Sequence, residues 1–325
     1  MFIPEYSITP KTLKNITIAE YSKAVVENTA ILPSWTNQLK KEAKTLRFQT
    51  QLKSLGILID PLKIKSHLEG IEKEAPIQLI NLLSAETITE SSFANKELSE
   101  EDLKEIAKTI NGNSSYRALK VSSKTNPEEI LAKIVQFFDW FHSLDGKETH
   151  PIILSAIAKA FFENLEPFKE QNRLISEYFS SLVLNVSGYG FNSMLCPDAY
   201  YEKTKRDYET ALKSITAEPG EPDYTSWIEY YSEGLSIESA NLKEKVKLLA
   251  RDTKIAKATG RVKFTPRQER IVEYLQDYGI LQNRDFSRVF SDTSEDSVLR
   301  DLKVLINKGV IQKSGSTKSS YYELA

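Results

Sequence analysis

The chain has 325 residues, 40% hydrophobic and 27% charged, with a formal net charge of −2 at pH 7. That size suits one large domain with a smaller one, or two or three of medium size. No apolar run approaches ~18 residues, which excludes a membrane-spanning helix; with 12 glycines and 12 prolines, breakers are too scarce for sandwiches, propellers or collagen-like repeats.

Apolar residues recur at helical spacing through residues 1–50, in Ile18, Tyr21, Val25 and Val26 and again in Trp35, Leu39, Ala43 and Leu46. Lys40, Lys41, Lys44 and Arg47, interspersed with Glu42, read as a solvated face. Short helical pieces separated by turns fill 52–97. LSEEDLKEIAKTI (98–110) is a helix capped by Ser99, with acids at its positive end and Asn111-Gly112 closing it. YRALKVSS (116–123) alternates like a strand. Asn126 and Pro127 then open a helix with a broad apolar stripe. THPIILSAIAKAFFENL (149–165) is apolar almost all round and RLISEYFSSLVLNV (173–186) nearly so, the mark of buried helices. His150 reads as a cap for the first, and His142 as a packing residue. The polar stretch EPFKEQN (166–172) joins the two helices, so a loop and a helix start converge on one spot.

Helices continue through 198–247, where the tyrosines and Trp227 read as core. Residues 251–265 are polar and basic, a candidate linker. The last 60 residues give three helices and two strand-like arms, the order of a winged helix-turn-helix. Leu299, Leu302, Val304, Leu305 and Ile306 are expected to form the core face of its third helix. Base-edge contacts are expected from Ser294, Ser297 and Arg300, and wing contacts from Lys313 and Lys318. Residues 261–325 carry a net +2 against −4 for the rest, the right sign for DNA, although Glu295 and Asp296 sit where phosphates come closest. The single Cys196 leaves no intrachain disulfide, and the three histidines have no metal-ligand spacing. No secretory leader is visible in MFIPEYSITP, so a cytoplasmic setting is expected.

The segment from about 98 to 245 resembles the Fic (Fido) family of nucleotidyl transferases, whose signature is H-P-F-x-x-G-N-G-R-x-x-R. The aligned stretch runs Glu166-Pro167-Phe168-Lys169-Glu170-Gln171-Asn172-Arg173-Leu174-Ile175-Ser176-Glu177. The preceding apolar helix, the YRALKV flap, DYETAL…DYTSWIEYYSEGL and the S-x-x-S-V-L-R-D-L helix are similar to the family's parts in the same order. The resemblance implies a mainly α fold: a Fic-like helical bundle with a small β-hairpin flap and a C-terminal winged helix-turn-helix. The expected divisions are an N-terminal helical region 1–97, a Fic-like domain 98–250 and a winged helix 262–325. It further implies Glu166 at the place of the general-base histidine, Asn172 and Arg173 at the nucleotide, and Glu170 at Mg²⁺ shared with ATP. Glu69, in KSHLEGIE (65–72), resembles the family's inhibitory glutamate. Tyr116, Arg117 and Val121 fall on the flap that docks a target.

The motif also departs from the family. Glu166 replaces a histidine, and a carboxylate with a usual pKa of ~4.3 is a weak base at neutral pH. Gln171 and Arg173 replace glycines that let backbone N–H groups close on phosphates. Glu177 replaces the second arginine and would repel a triphosphate by ~1–4 kcal/mol. The expected function is therefore a Fic-type protein impaired in AMP transfer, acting through DNA or a protein partner. The alternative is an active protein adenylyltransferase that uses Glu166. Expected partners are a protein target at the flap, duplex DNA at the winged helix, and a second copy of the chain, with no membrane.

Overall fold

The computed structural model describes every residue except Met1, Lys73, 92–95, 118–126, 216–221, 259–263, 291–292, 316–319 and Ala325. The helices are α1 (Pro10–Asn28), α2 (Pro33–Ser54), α3 (Pro61–Leu68), α4 (Ile77–Ser91), α5 (Glu100–Asn111), α6 (Pro127–Phe141), α7 (Leu144–Glu148), α8 (Pro151–Leu165), α9 (Asn172–Val186), α10 (Asp198–Lys203), α11 (Lys205–Lys213), α12 (Thr225–Ala258), α13 (Pro266–Tyr278), α14 (Phe286–Val289) and α15 (Glu295–Asn307). Six of them open on proline, whose fixed φ and missing N–H suit a first helical position. The few prolines of this chain thus start helices more than they break them. The expected cap on α5 is present as a Ser99–Asp102 capping box, with Gly112 left-handed beyond the last turn. His150 caps α8 by accepting from the Ile152 N–H.

The chain divides into two compact units, residues 1–27 with 42–243, and residues 28–41 with 244–325. In the first, α8 and α9 form a buried helical hairpin: the Ser155 hydroxyl donates to Ser180 O at 2.8 Å, and Trp227 Nε1 donates to Ala156 O at 2.7 Å. Phe137, Trp140, Phe161 and Phe162 pack with Phe2 in an aromatic cluster against this hairpin. Tyr201, Tyr208, Trp227 and Tyr231 are buried, as the sequence predicts for core aromatics.

In the second unit, a three-stranded antiparallel sheet of order β1-β3-β2 joins Ile280–Gln282 (β1), Ile311–Ser314 (β2) and Tyr321–Leu324 (β3). Its core gathers Ile271, Leu275, Phe286, Phe290, Leu302 and Tyr322, among others. Gln268 Nε2 donates to Asp301 Oδ1 at 2.8 Å, which ties α13 to α15.

Two expectations need correction. Leu299 and Val304 are expected in the core of the third helix, but they are 36% and 39% exposed; Leu302 and Leu305 are buried as expected, and Val298 joins them. The expected linker is shorter at its start, because α12 continues to Ala258. No glycine or proline interrupts 251–258, so nothing stops the helix there. Most of the expected flap strand, including Val121, lies outside the described residues; Tyr116 forms an antiparallel bridge with Phe168. Among the described residues no helix is long and apolar enough to cross a membrane.

Candidate functional site

The loop between α8 and α9 is fixed by its neighbours. Glu166 ends α8 in the left-handed region, at φ 47° and ψ 57°, and its side chain is exposed. Arg117 is buried and points inward: its Nε donates to Glu166 O at 2.6 Å and its backbone N–H to Pro167 O at 2.9 Å. It thereby serves a carbonyl that the helix end leaves unpaired. Phe168 is buried, 5.5 Å from the Tyr116 ring, and the Tyr116 hydroxyl donates to Glu100 at 2.6 Å.

Asn172 closes the loop on itself. Its Oδ1 accepts from the Phe168 N–H and its Nδ2 donates to Phe168 O, both at 2.8 Å. Asn111 Nδ2 donates to Glu170 O at 2.9 Å, pinning the far side to the end of α5. Gln171 takes φ 57° and ψ 26°, a backbone conformation that favours glycine, and stands at the start of α9 without a side-chain cap.

Below the loop lies a layer of buried and half-buried polar side chains. Lys159 is 1% exposed, and its ammonium lies 3.8 Å from both Glu163 Oε2 and Glu177 Oε2 with no hydrogen-bond partner. Glu177 is 7% exposed and also accepts from Gln51 Nε2 at 3.1 Å. Burial alone would raise the Glu177 carboxyl, but Lys159, a hydrogen bond with Asp198, and Arg173 outweigh it and hold it below the ordinary range. Arg173 turns toward α11, its guanidinium carbon 4.5 Å from the centre of the Tyr208 ring, and the Tyr208 hydroxyl donates to Glu163. Thr50, Gln51, Ser54, Lys159, Arg173 and Glu177 line a small cavity here together with Asp198.

The remaining site expectations fall elsewhere. Glu170 is exposed, with Lys169 Nζ 3.7 Å away. Among the described residues no three histidines, cysteines or acids gather as a metal site. Glu69 is exposed and ends α3, its N–H donating to Lys65 O at 3.0 Å, with Gly70 left-handed after it. On α15 the Ser294 and Ser297 hydroxyls are 3.0 Å apart and Arg300 is exposed. Lys313 is exposed with its ammonium over Tyr322, and Lys318 lies outside the described residues.

Sequence reasoning missed Lys159, Gln51, Asp198 and Tyr208. The signal was available for one pair: a lone lysine in the apolar helix 149–165 and a lone glutamate within 174–186 are natural counterparts once both helices are buried. Arg47, expected on a solvated face, is instead mostly covered, its side chain 12% exposed between Glu86, the Leu195 carbonyl and Asp198.

Solved structures share this architecture. The chain is similar to a Fic family protein from Desulfovibrio desulfuricans G20, with 14% identity over 100% of this chain and 98% of that one, and a TM-score of 0.61. It is similar to Fic-1 from C. elegans, at 16% identity over 73% of this chain and 71% of that one, with a TM-score of 0.57. A Fic domain containing signaling protein from Bacteroides thetaiotaomicron matches at 17% identity over 74% of this chain and 98% of that one, with a TM-score of 0.55. No family model and no curated protein matches the sequence. The chain therefore has the Fic fold.

Proposed function

We propose that this chain is a Fic-type protein that does not transfer AMP and acts by binding. The observation that carries the reading is Glu177. It stands at the place of the motif's second arginine, and Lys159 neutralises it from the neighbouring helix. Arg173 is engaged with Tyr208, so neither of these two cations beneath the loop is offered to a polyphosphate. Glu170 is a single exposed carboxylate, a poor Mg²⁺ site by itself. The residues present therefore do not fit ATP with Mg²⁺.

The binding role is proposed for the C-terminal unit, read as a winged helix that contacts duplex DNA through Ser294, Ser297, Arg300 and Lys313. Exposure of Arg300 and Lys313 supports it, while Glu295 and Asp296 in the first turn of the same helix oppose it by repelling phosphates. Incubation with labelled ATP, Mg²⁺ and a cell lysate tests the first half of the reading. No covalent labelling is expected, and strong labelling abolished by Glu170→Ala would overturn it. Titration with duplex DNA tests the second half: binding that weakens steeply with salt is expected, and binding unchanged by Arg300→Ala and Lys313→Ala would overturn it.

A second reading, an adenylyltransferase using Glu166, is favoured by one observation. Gln171 takes a left-handed backbone conformation that favours glycine, and α9 begins without a side-chain cap, so backbone N–H groups at this helix start are free of side-chain capping. The labelling experiment separates the two readings.

A further inference from the structure

The polar layer beneath the loop holds more carboxylates than cations. Glu163 and Glu177 flank Lys159, Glu86 pairs with Arg47, and Asp198 lies 3.5 Å from the Nε of the same guanidinium. Arg173, turned onto Tyr208, is the third cation. Four carboxylates therefore face three cations, and each of those carboxylate side chains is 12% exposed or less. A surplus charge in such a place is strongly disfavoured, and one bound proton removes it.

The partners indicate where that proton sits. Glu163 accepts from the Tyr208 hydroxyl, Glu86 has Arg47, and Glu177 has Lys159 and Gln51. Asp198 has only one edge of a guanidinium whose other nitrogens already serve Glu86 and the Leu195 carbonyl. Its remaining neighbour is Glu177, which lines the same small cavity. Two carboxyl groups can hydrogen-bond only if one of them carries the proton.

We propose that Asp198 is a neutral carboxylic acid that donates its proton to Glu177, and that this bond is a pH-sensitive latch holding α10 to α9 beneath the motif loop. When Asp198 releases the proton to solvent, two adjacent carboxylates repel and the latch opens. Burial first, and then the Glu177 charge, push the Asp198 carboxyl well above its ordinary range, while Arg47 opposes them. The groups facing the pair are Arg47, Gln51 and, at the rim, Lys53 from α2, Glu86 from α4, Lys159 and Glu163 from α8, and Arg173 and Tyr178 from α9. Cys196, Tyr201 and Glu202 on or just before α10, Tyr208 on α11, and Tyr231 on α12 complete the ring. Burial raises the tyrosines and Cys196, so none of them supplies a competing charge near neutral pH.

The sign follows from linkage. A carboxyl raised in the folded state keeps a proton that the unfolded chain has lost, so its contribution fades as pH rises through its folded value. From about pH 5, above the ordinary aspartate range, the folding constant of the wild type is expected to fall about tenfold per pH unit relative to Asp198→Asn. The asparagine amide donates to Glu177 without titrating, so that variant should fold at neutral pH and lose the slope. Infrared spectra of the full chain carrying ¹³C-labelled aspartate should show a shifted carboxylic-acid band at neutral pH, absent from Asp198→Asn. Parallel pH profiles for the two proteins, or no such band in the wild type, overturn the proposal. If Asp198→Asn fails to fold, the wild-type spectrum alone decides.

Discussion

In the loop between α8 and α9, backbone groups are held by Asn172, Arg117 and Asn111, and Gln171 keeps a glycine-like turn. In the layer just below, buried charges meet side chain to side chain, with Lys159 as the counter-charge of Glu177. The difference teaches that frame and charge are held by separate forces. Hydrogen bonds between side chains and the main chain keep the loop's path whatever lies beneath. The buried charges answer to one another and to a few neutral side chains, so Lys159 on the neighbouring helix balances Glu177 without disturbing the frame.

The comparison breaks most visibly if the counter-ion is removed. Lys159→Met should cost about 3–5 kcal/mol, because Glu163 and Glu177 lose their buried cation. Urea unfolding reads this, and adding Glu177→Gln should recover part of the loss; a cost below about 1 kcal/mol would mean that the pair is not the layer's counter-charge. Asn172→Ala tests the frame: losing both bonds to Phe168 should cost about 1–3 kcal/mol and expose the Phe168 amide to hydrogen exchange. Gln171→Gly should act in the opposite sense, stabilising by up to about 1–2 kcal/mol as the left-handed strain is relieved. Glu170→Ala sharpens the contrast by its smallness, with an expected change within about 0.5 kcal/mol, since the side chain is exposed.

Acid should also separate the two regions. The Glu177 carboxyl is held low when folded, so its contribution is present above the ordinary glutamate range and is lost as pH falls through the folded value. Glu177→Gln should flatten that acid limb, measured by unfolding midpoints at successive pH values, while Gln171→Gly leaves it unchanged.

Much of the frame was legible in the sequence because local rules govern it. Ser99 with Asp102, His150 before Pro151, and Gly112 after Asn111 mark helix ends through hydrogen bonds a few residues long. The two apolar helices and the polar stretch between them fixed where the loop would be. The polar layer was not legible to the same degree. Arg47 looked like one member of a basic surface run, and only the arrival of Glu86 and Asp198 from other helices covers it. Leu299 and Val304 misled for a related reason: apolar character set them in the core, whereas α15 presents its 298, 302 and 305 positions inward. Glu177 could be recognised as a departure from the motif, but its pairing with Lys159 depends on the antiparallel register of α8 and α9, which no single segment encodes.

The central claim is that Lys159 and Arg173, the two cations beneath this loop, are held by Glu177 and Tyr208 rather than offered to a polyphosphate. Titrating the protein with ATP and Mg²⁺ while following the backbone amide resonances of Gln171, Asn172 and Arg173 tests it most directly. Those resonances are expected to stay in place up to millimolar nucleotide; a saturable shift confined to these three amides would contradict the account.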